Sequence, residues 1–198
     1  MQHDAKINGY DRMAKEYLAN RGKLRSGKYV KKLLKWLPNN SIILDVGCGA
    51  GIPVDNELLS AGHQVKGIDS SSKMIELAKK YCPGGEYRIE DMQQLKKGEY
   101  QVGAIVCLYA LFHIPRNQHA QMLEIFQSFL PSGGLLLLST GDIEFEGEHN
   151  LHGVKVWSSQ YGARENQKII EKGKWEVLIE EMDTSGDERH QIWLLRKC

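Results

Sequence analysis

The chain has 198 residues, of which 41% are hydrophobic and 26% are charged, and its formal net charge is +1 at pH 7. This length and composition permit one sizeable hydrophobic core and predict a single globular domain. The near-zero net charge excludes a general electrostatic attraction to polyanions such as nucleic acids.

The first forty residues contain a basic run but no targeting signal. They lack the apolar core of a signal peptide, and no stretch of the chain approaches the length of a membrane span, so we expect a cytoplasmic protein without a membrane partner. Seven basic residues fall between Arg21 and Lys35. They predict the solvent-facing side of an amphipathic helix, and a nucleic-acid surface is the alternative. The apolar residues of that helix are Leu24, Val30, Leu33, Leu34 and Leu37.

After residue 40, strand-like and helix-like segments alternate, which is typical of an open parallel sheet. The predicted strands are 41–46, 63–69, 86–91, 100–110 and 135–140, and the predicted helices are 53–61, 71–81 and 116–130. Residues 141–162 are polar, and we expect them to be irregular. A short helix at 163–173 and an antiparallel hairpin of 175–182 and 189–197 complete the pattern.

The four cysteines are widely spaced. They show neither the C-x-x-C spacing nor the Cys/His pairing of zinc sites, so we expect reduced thiols and no metal. These residues are Cys48, Cys82, Cys107 and Cys198.

The first strand ends in a turn with glycines at alternate positions, in "DVGCGAG". Such a turn lets the backbone approach a ligand closely, and the helix that follows offers unpaired N–H donors. The second strand ends in Asp69, eighteen residues after Gly51, where an acidic residue would meet ribose hydroxyls. Glycine turn, helix and strand-terminal acid together indicate a cofactor that contains a nucleoside.

The spacing of the glycines distinguishes between cofactors. Dinucleotide-binding folds usually carry G-x-G-x-x-G, whereas this chain has D-x-G-x-G-x-G with Asp45 at the end of the strand. The spacing leaves less room for a pyrophosphate and places an acid near a ligand that carries a sulfonium charge. It therefore favours S-adenosylmethionine (SAM) over NAD.

Four segments, in order, resemble the motifs of the class I SAM-dependent methyltransferases. They are "ILDVGCGAG", "GHQVKGIDSSSKMIELAKK", "IEDMQQL" and "LPSGGLLLLS". The resemblance implies an α/β fold with a Rossmann-like, mostly parallel sheet of seven strands in the order 3-2-1-4-5-7-6, strand 7 antiparallel, and helices on both faces. It also implies transfer of the methyl group of SAM to an acceptor, with release of S-adenosylhomocysteine (SAH).

The same resemblance assigns residues to the parts of the cofactor. Asp69 would hold both ribose hydroxyls, and Asp91 would accept a hydrogen bond from the adenine amino group. The other residues implied at the cofactor are Asp45, Gly47, Cys48, Gly49, Ser70, Met74, Met92 and Leu108. The alternative is structural: Asp45 and Asp69 cap neighbouring amides, Met74 belongs to the core, and Cys48 is chosen for its size.

The segment "YDRMAKEY" resembles one that forms a helix over cofactor and acceptor in many members of the family that methylate small molecules. Tyr10, Tyr17 and Arg21 would then reach the methionine carboxylate of SAM or the acceptor. The alternative is a surface helix. We therefore divide the domain into a helical lid at 1–38, a SAM-binding core at 41–140, an insert on the acceptor side at 141–162, and a terminal helix and hairpin at 163–198.

The fourth strand leads into "YALFHIP", where acceptor and methyl group should meet. Methyl transfer needs a base only if the acceptor keeps its proton, and His113 is the candidate base, with Tyr109 beside it. A structural, hydrogen-bonded histidine is the alternative.

The expected acceptor is a small molecule, because no recognition domain accompanies the core. The chain also lacks the Asn/Asp-Pro-Pro-aromatic tetrad of many enzymes that methylate bases or amides, which argues against a nucleic-acid substrate. Insert residues that would line an acceptor pocket, or would merely cover the sheet, are His149, His152, Trp157 and Tyr161. Two other functions stay open: a non-catalytic SAM-binding or RNA-associated protein, and an NAD-dependent oxidoreductase.

Overall fold

A seven-stranded sheet occupies the centre of the computed structural model, which describes residues 10–11, 26–151, 153–185 and 189–198. The strands of this sheet are β1 (Ile42–Val46), β2 (Gln64–Asp69), β3 (Glu86–Ile89), β4 (Ala104–Cys107), β5 (Leu135–Gly141), β8 (Trp175–Asp183) and β9 (His190–Lys197). A separate two-stranded sheet consists of β6 (Phe145–Leu151) and β7 (Val154–Gln160).

Five α-helices have both bounds described, of which the first precedes β1 and the other four connect strands. They are α1 (Ser26–Leu34), α2 (Val54–Ser60), α3 (Ser72–Tyr81), α4 (His119–Phe129) and α5 (Ala163–Lys172). Short 3₁₀ turns at Met92–Gln94, Leu111–His113 and Arg116–Gln118 follow β3 and β4. The predicted strands and helices between residues 40 and 140 are thus present, although β3 and β4 are shorter than expected.

The strand order β3-β2-β1-β4-β5-β9-β8 confirms the predicted topology. The inserted hairpin takes the numbers 6 and 7, so that β8 and β9 are the sixth and seventh strands of the predicted order. Strand β9 is antiparallel to both of its neighbours, whereas the pairs from β3 to β5 are parallel. The fold is therefore the predicted α/β, Rossmann-like one.

Side chains along the strands point alternately to the two faces of the sheet, so the hydrophobic core is divided between these faces. Ile43 packs with Leu33 of α1 and Leu58 of α2 on one face. The next residue, Leu44, packs with Phe126 of α4 on the other. Successive side chains of a strand point to opposite faces, so strands that are apolar at every position are buried on both.

Helix α1 carries the described part of the basic run. Val30 and Leu33 are fully buried, while Lys28 and Lys32 form ion pairs with Glu181 of β8. The predicted amphipathic helix is confirmed within Ser26–Leu34, and Leu24 lies outside the described residues. Ion pairs between partly exposed side chains contribute little stability, so the apolar side of α1 holds the helix on the sheet.

The insert is a regular antiparallel hairpin, and the prediction that it would be irregular is wrong. Phe145 pairs with Gln160 at its open end and Leu151 with Val154 at its turn. In the turn, Gly153 has φ +82° and its N–H donates to Asn150 Oδ1 at 2.7 Å. Side chains of β6 alternate between half-buried and exposed, so the strand shows only a weak apolar pattern.

Two further observations concern the cysteines and the helices. All four cysteines are free thiols, and three of them are buried. Within the described ranges, every helix is too short or too polar to cross a lipid bilayer.

Candidate active site

A cleft of about 840 Å³, including its open mouth, lies at the carboxyl ends of β1 to β4. The neighbours of β1 are β2 on one side and β4 on the other, so the strand order changes direction there. Ligands of open α/β sheets bind at this point. The residues that line the cleft are Tyr10, Gly47, Gly49, Ile68, Asp69, Ser70, Met74, Glu90, Asp91, Met92, Gln93, Tyr109, Ala110, His113, Ile114, Val156 and Trp157.

The glycine turn forms one wall of the cleft. Gly47 has φ +74° and Gly49 has φ +55°, values that residues with side chains rarely adopt. The N–H groups of Gly47 and Cys48 donate to the carbonyl of Ile68 at 2.8 and 3.0 Å, which fastens the turn to the end of β2. A Cβ on Gly47 would lie 2.4 Å from the Cβ of Ala110, so the close packing of this turn requires glycine.

Asp69 lies at the end of β2 with its carboxylate joined to two backbone amides. Oδ2 accepts from the N–H of Gly49 at 2.9 Å, and Oδ1 accepts from the N–H of Ser71 at 2.8 Å. Burial raises the pKa of Asp69 to about 6, because these hydrogen bonds only partly offset the loss of hydration. The carboxylate thus holds the glycine turn and also faces the cleft.

A pair of acidic residues, Glu90 and Asp91, follows β3. Asp91 caps the 3₁₀ turn, since its Oδ1 accepts from the N–H of Gln93 at 3.0 Å. Glu90 also lines the cleft and accepts from the hydroxyl of Tyr100 at 2.6 Å. The sequence analysis missed Glu90, although it is the other acidic residue of the quoted "IED". Met92 lines the same wall.

Ser70 and Met74 are on the cleft wall, and their predicted roles at the cofactor stay predictions. Met74 is also buried in a small cluster with Ala50, which fits the alternative that it belongs to the core. The side chain that caps α3 is Ser71, whose Oγ accepts from the N–H of Met74 at 3.2 Å.

Three other predicted cofactor residues do not line the cleft. Cys48 packs beneath the turn with Ile75, and burial raises the pKa of its thiol well above the usual value. Leu108 belongs to the core on the α1 side of the sheet, and Asp45 is buried within β1. Asp45 lies within β1, where neighbouring side chains point to opposite faces of the sheet, whereas Cys48 lies in the glycine turn and Leu108 follows β4.

Tyr17 and Arg21 lie outside the described residues, and their predicted roles stay predictions.

His113 is on the opposite side of the cleft and connects three segments. Its Nδ1 is 3.2 Å from the carbonyl oxygen of Trp157 in β7, and its Nε2 is 2.5 Å from the hydroxyl of Tyr10. A carbonyl only accepts, so Nδ1 carries the proton and Nε2 accepts from the Tyr10 hydroxyl. This tautomer leaves Nε2 as the basic atom on the cleft side.

Tyr109 lines the cleft, but its hydroxyl is held elsewhere. It donates to Asp183 Oδ2 at 2.6 Å, and Asp183 is buried away from the cleft wall. Burial raises the pKa of Asp183, but hydrogen bonds from Tyr109 and Ser185 outweigh it, and the pKa is lowered overall. The geometry favours a structural role for this hydroxyl over the predicted catalytic one.

The hairpin of β6 and β7 lines one side of the cleft. Trp157 lines it as predicted, together with Val156, which the sequence analysis missed. Tyr161 does not line the cleft, and the guanidinium of Arg116 lies over its ring, 5.5 Å from the centroid. His149 is not on the cleft wall, and His152 lies outside the described residues. In the described part of the chain, no group of three or more His, Cys, Asp or Glu side chains is placed to hold a metal ion.

The chain is similar to known methyltransferases. Residues 43–134 match a family model described as a methyltransferase domain, and they include the glycine turn, Asp69, Asp91 and His113. Together with the shared fold, this match supports a class I SAM-dependent methyltransferase. The resemblance seen in the sequence is therefore confirmed.

Curated relatives match the chain over part of their length. A ubiquinone biosynthesis O-methyltransferase of Coxiella burnetii is 31% identical over 108 residues, which cover 52% of this chain and 45% of the relative. An uncharacterized methyltransferase of Oceanobacillus iheyensis is 32% identical over 104 residues, or 52% and 47% of the two chains. The chain thus spans about half the length of the curated relatives it matches.

Solved structures share its fold over nearly the whole chain. Magnesium protoporphyrin IX methyltransferase of Synechocystis PCC 6803, with bound SAH, has a TM-score of 0.73 and 20% identity, and the match covers 100% of this chain and 97% of the other. The complex of DhpI with SAH has a TM-score of 0.75 and 17% identity, with coverage of 99% and 97%. At such identities the likeness shows the fold alone.

Proposed function

We propose that this methyltransferase transfers the methyl group of SAM to a small-molecule acceptor and releases SAH. The observation that carries the proposal is one cleft with the glycine turn and Asp69 on one side and the basic atom of His113 on the other. The relatives with O-methyltransferase names and the neighbours bound to SAH support it.

The residues present fit the cofactor. An ionised carboxylate has about four acceptor positions, and the amides of Gly49 and Ser71 use two of those on Asp69. The remaining two suit a pair of ribose hydroxyls. The bare backbone at Gly47 and Gly49 leaves space for the methionine part, while Asp91 and Met92 would hold the adenine.

Bound SAM would supply an activated methyl group on a sulfonium. The chain itself has to position the acceptor and exclude water. Trp157 and Val156 of the hairpin would cover the acceptor, and His113 Nε2 would take up its proton. Because the Trp157 carbonyl holds the proton on Nδ1, the imidazole is already in the tautomer that a general base needs.

SAM and SAH should each raise the melting temperature of the protein, because a ligand that binds only the folded state stabilises it by mass action. NAD at the same concentration serves as the matched control, since it shares the adenosine but needs room for a pyrophosphate. Differential scanning fluorimetry gives the comparison directly. Stabilisation by NAD and not by SAH would support the oxidoreductase alternative and overturn the proposal.

His113→Gln should lower the turnover number by about 10²–10⁴-fold while SAM affinity stays nearly unchanged, because the base contacts the acceptor and not the cofactor. Glutamine keeps a hydrogen-bonding side chain but cannot take up a proton at neutral pH. Turnover can be followed with methyl-labelled SAM and extracted metabolite pools, and affinity by calorimetry. A parallel loss of melting temperature and activity would instead favour the structural role.

A further inference from the structure

Tyr10 and Asp11 together bridge the mouth of the cleft. The Tyr10 hydroxyl meets His113 after β4, and the two rings are in edge contact with centroids 5.1 Å apart. Asp11 Oδ1 accepts from the Ser71 hydroxyl at 2.5 Å and from the N–H of Lys73 at 3.3 Å, both at the start of α3. Two adjacent residues are thus anchored to opposite sides of the site.

The hydrogen bond between Tyr10 and His113 resembles the one that the hydroxyl of an acceptor would form. A phenol hydroxyl donates to the basic Nε2, and its six-membered ring lies within the cleft lining. The hydrogen bond that Tyr10 makes is the one that a hydroxyl acceptor needs before it loses its proton. Tyr10 and such an acceptor cannot both use the single lone pair of Nε2.

The surrounding wall selects against negative charge on the acceptor. Ile114, Val156 and Trp157 supply apolar and aromatic surface next to His113. Within the described ranges no Lys or Arg side chain lines the cleft, whereas the carboxylates of Asp69 and Glu90 do. An anionic acceptor would find no counter-charge there and would be repelled.

We propose that Tyr10 occupies the position of the acceptor and that the acceptor is a neutral phenol. The hydroxyl of this phenol displaces the Tyr10 hydroxyl from His113 Nε2. This proposal rests on the proposed function. In the reaction, a bond forms between the phenol oxygen and the methyl carbon while the bond from that carbon to the sulfonium sulfur breaks. The phenol proton passes to Nε2, so that the products are a methyl ether, SAH and an imidazolium.

The test compares the binding of two probes, catechol and benzoate, to the SAH-saturated protein by calorimetry. Tyr10→Phe removes the competing hydroxyl but keeps the ring, so the dissociation constant for catechol should fall by about 2–10-fold, the equivalent of one hydrogen bond. Tyr81→Phe is the matched control, because Tyr81 is exposed on α3 and outside the cleft, and it should change nothing. Benzoate should bind at least about tenfold more weakly than catechol to every variant.

Catechol binding that is weakened or unchanged in Tyr10→Phe would overturn the proposal, because Tyr10 would then support the acceptor or lie apart from it. Equal affinity for benzoate, or no catechol binding to Tyr10→Phe, would overturn the assignment of a neutral phenol. The binding of SAH itself is measured first in the same titrations. If SAH does not bind, the result counts against the proposed function. If SAH binds but Tyr10→Phe does not tighten catechol binding, the result counts only against this inference.

Discussion

Asp69→Asn should weaken SAM binding by about 1–3 kcal/mol, or roughly 5- to 150-fold, because the ribose hydroxyls lose a charged acceptor. The substitution also places an amide NH₂ where the carboxylate now accepts from the N–H of Gly49 or Ser71. The glycine turn would therefore lose part of its support. Calorimetric titration with SAH measures the effect without turnover.

The same carboxylate should make binding depend on pH. Burial raises the pKa of Asp69 to about 6, so the group is increasingly protonated below that pH and loses its charge toward the ribose hydroxyls. SAH affinity should then fall by up to about tenfold per pH unit below 6. Asp69→Asn should remove this dependence.

The stability of the ligand-free protein should change in the opposite direction. A raised carboxyl pKa means that the folded state binds the proton more tightly than the unfolded state does. The stabilisation from that proton is fully present below about pH 4 and is lost as the pH rises through about 6. Opposite trends in melting temperature and in SAH affinity across this window would be a signature of Asp69.

Glu124→Gln is the matched control, because Glu124 is an exposed carboxylate of α4 that pairs with Lys97. It should leave both the affinity and its pH dependence intact. If Asp69→Asn binds SAH as tightly as the unmodified protein does, Asp69 only holds the turn and is not part of the cofactor site.

Gly47→Ala should be among the most damaging single substitutions in the chain. Gly47 has φ +74°, and a Cβ there would lie 2.4 Å from the Cβ of Ala110. The unfavourable dihedral costs about 1–2 kcal/mol, and the overlap adds about 1–3 kcal/mol because neither backbone is free to move. Relief requires the turn to shift, so SAH binding should fall by more than about tenfold.

Gly98→Ala separates the two contributions. Gly98 has a similar φ of +78°, but nothing lies within 4 Å of the position of its Cβ. The Gly98→Ala substitution should lower the free energy of unfolding only by the dihedral contribution, and SAH binding should stay unchanged. Chemical denaturation gives the free energy of unfolding of both variants. Equal destabilisation of the two would show that Ala110 moves aside easily and that the close packing of the turn is unimportant.

Several features of the fold and of the site are determined by the local sequence. The strands from β1 to β5, the helices between them, the glycine turn and the acid that ends β2 could all be predicted. In each case the signal lies in a few neighbouring residues: an apolar run, glycines at alternate positions, or an acidic residue at the end of a strand. The order of the sheet followed from the resemblance that these local motifs carry.

The tertiary structure alone decided which of these residues meet. Asp45 and Cys48 lie within the glycine motif and Leu108 follows β4, yet none of the three lines the cleft, because their side chains are buried in the core or beneath the turn. The hairpin of β6 and β7 escaped prediction because a hairpin with one half-buried face has only a weak apolar pattern. The contact of His113 with Tyr10 joins residues 103 positions apart, and its contact with Trp157 spans 44. Such contacts arise only when the sheet brings distant segments to one edge, since no local preference records them.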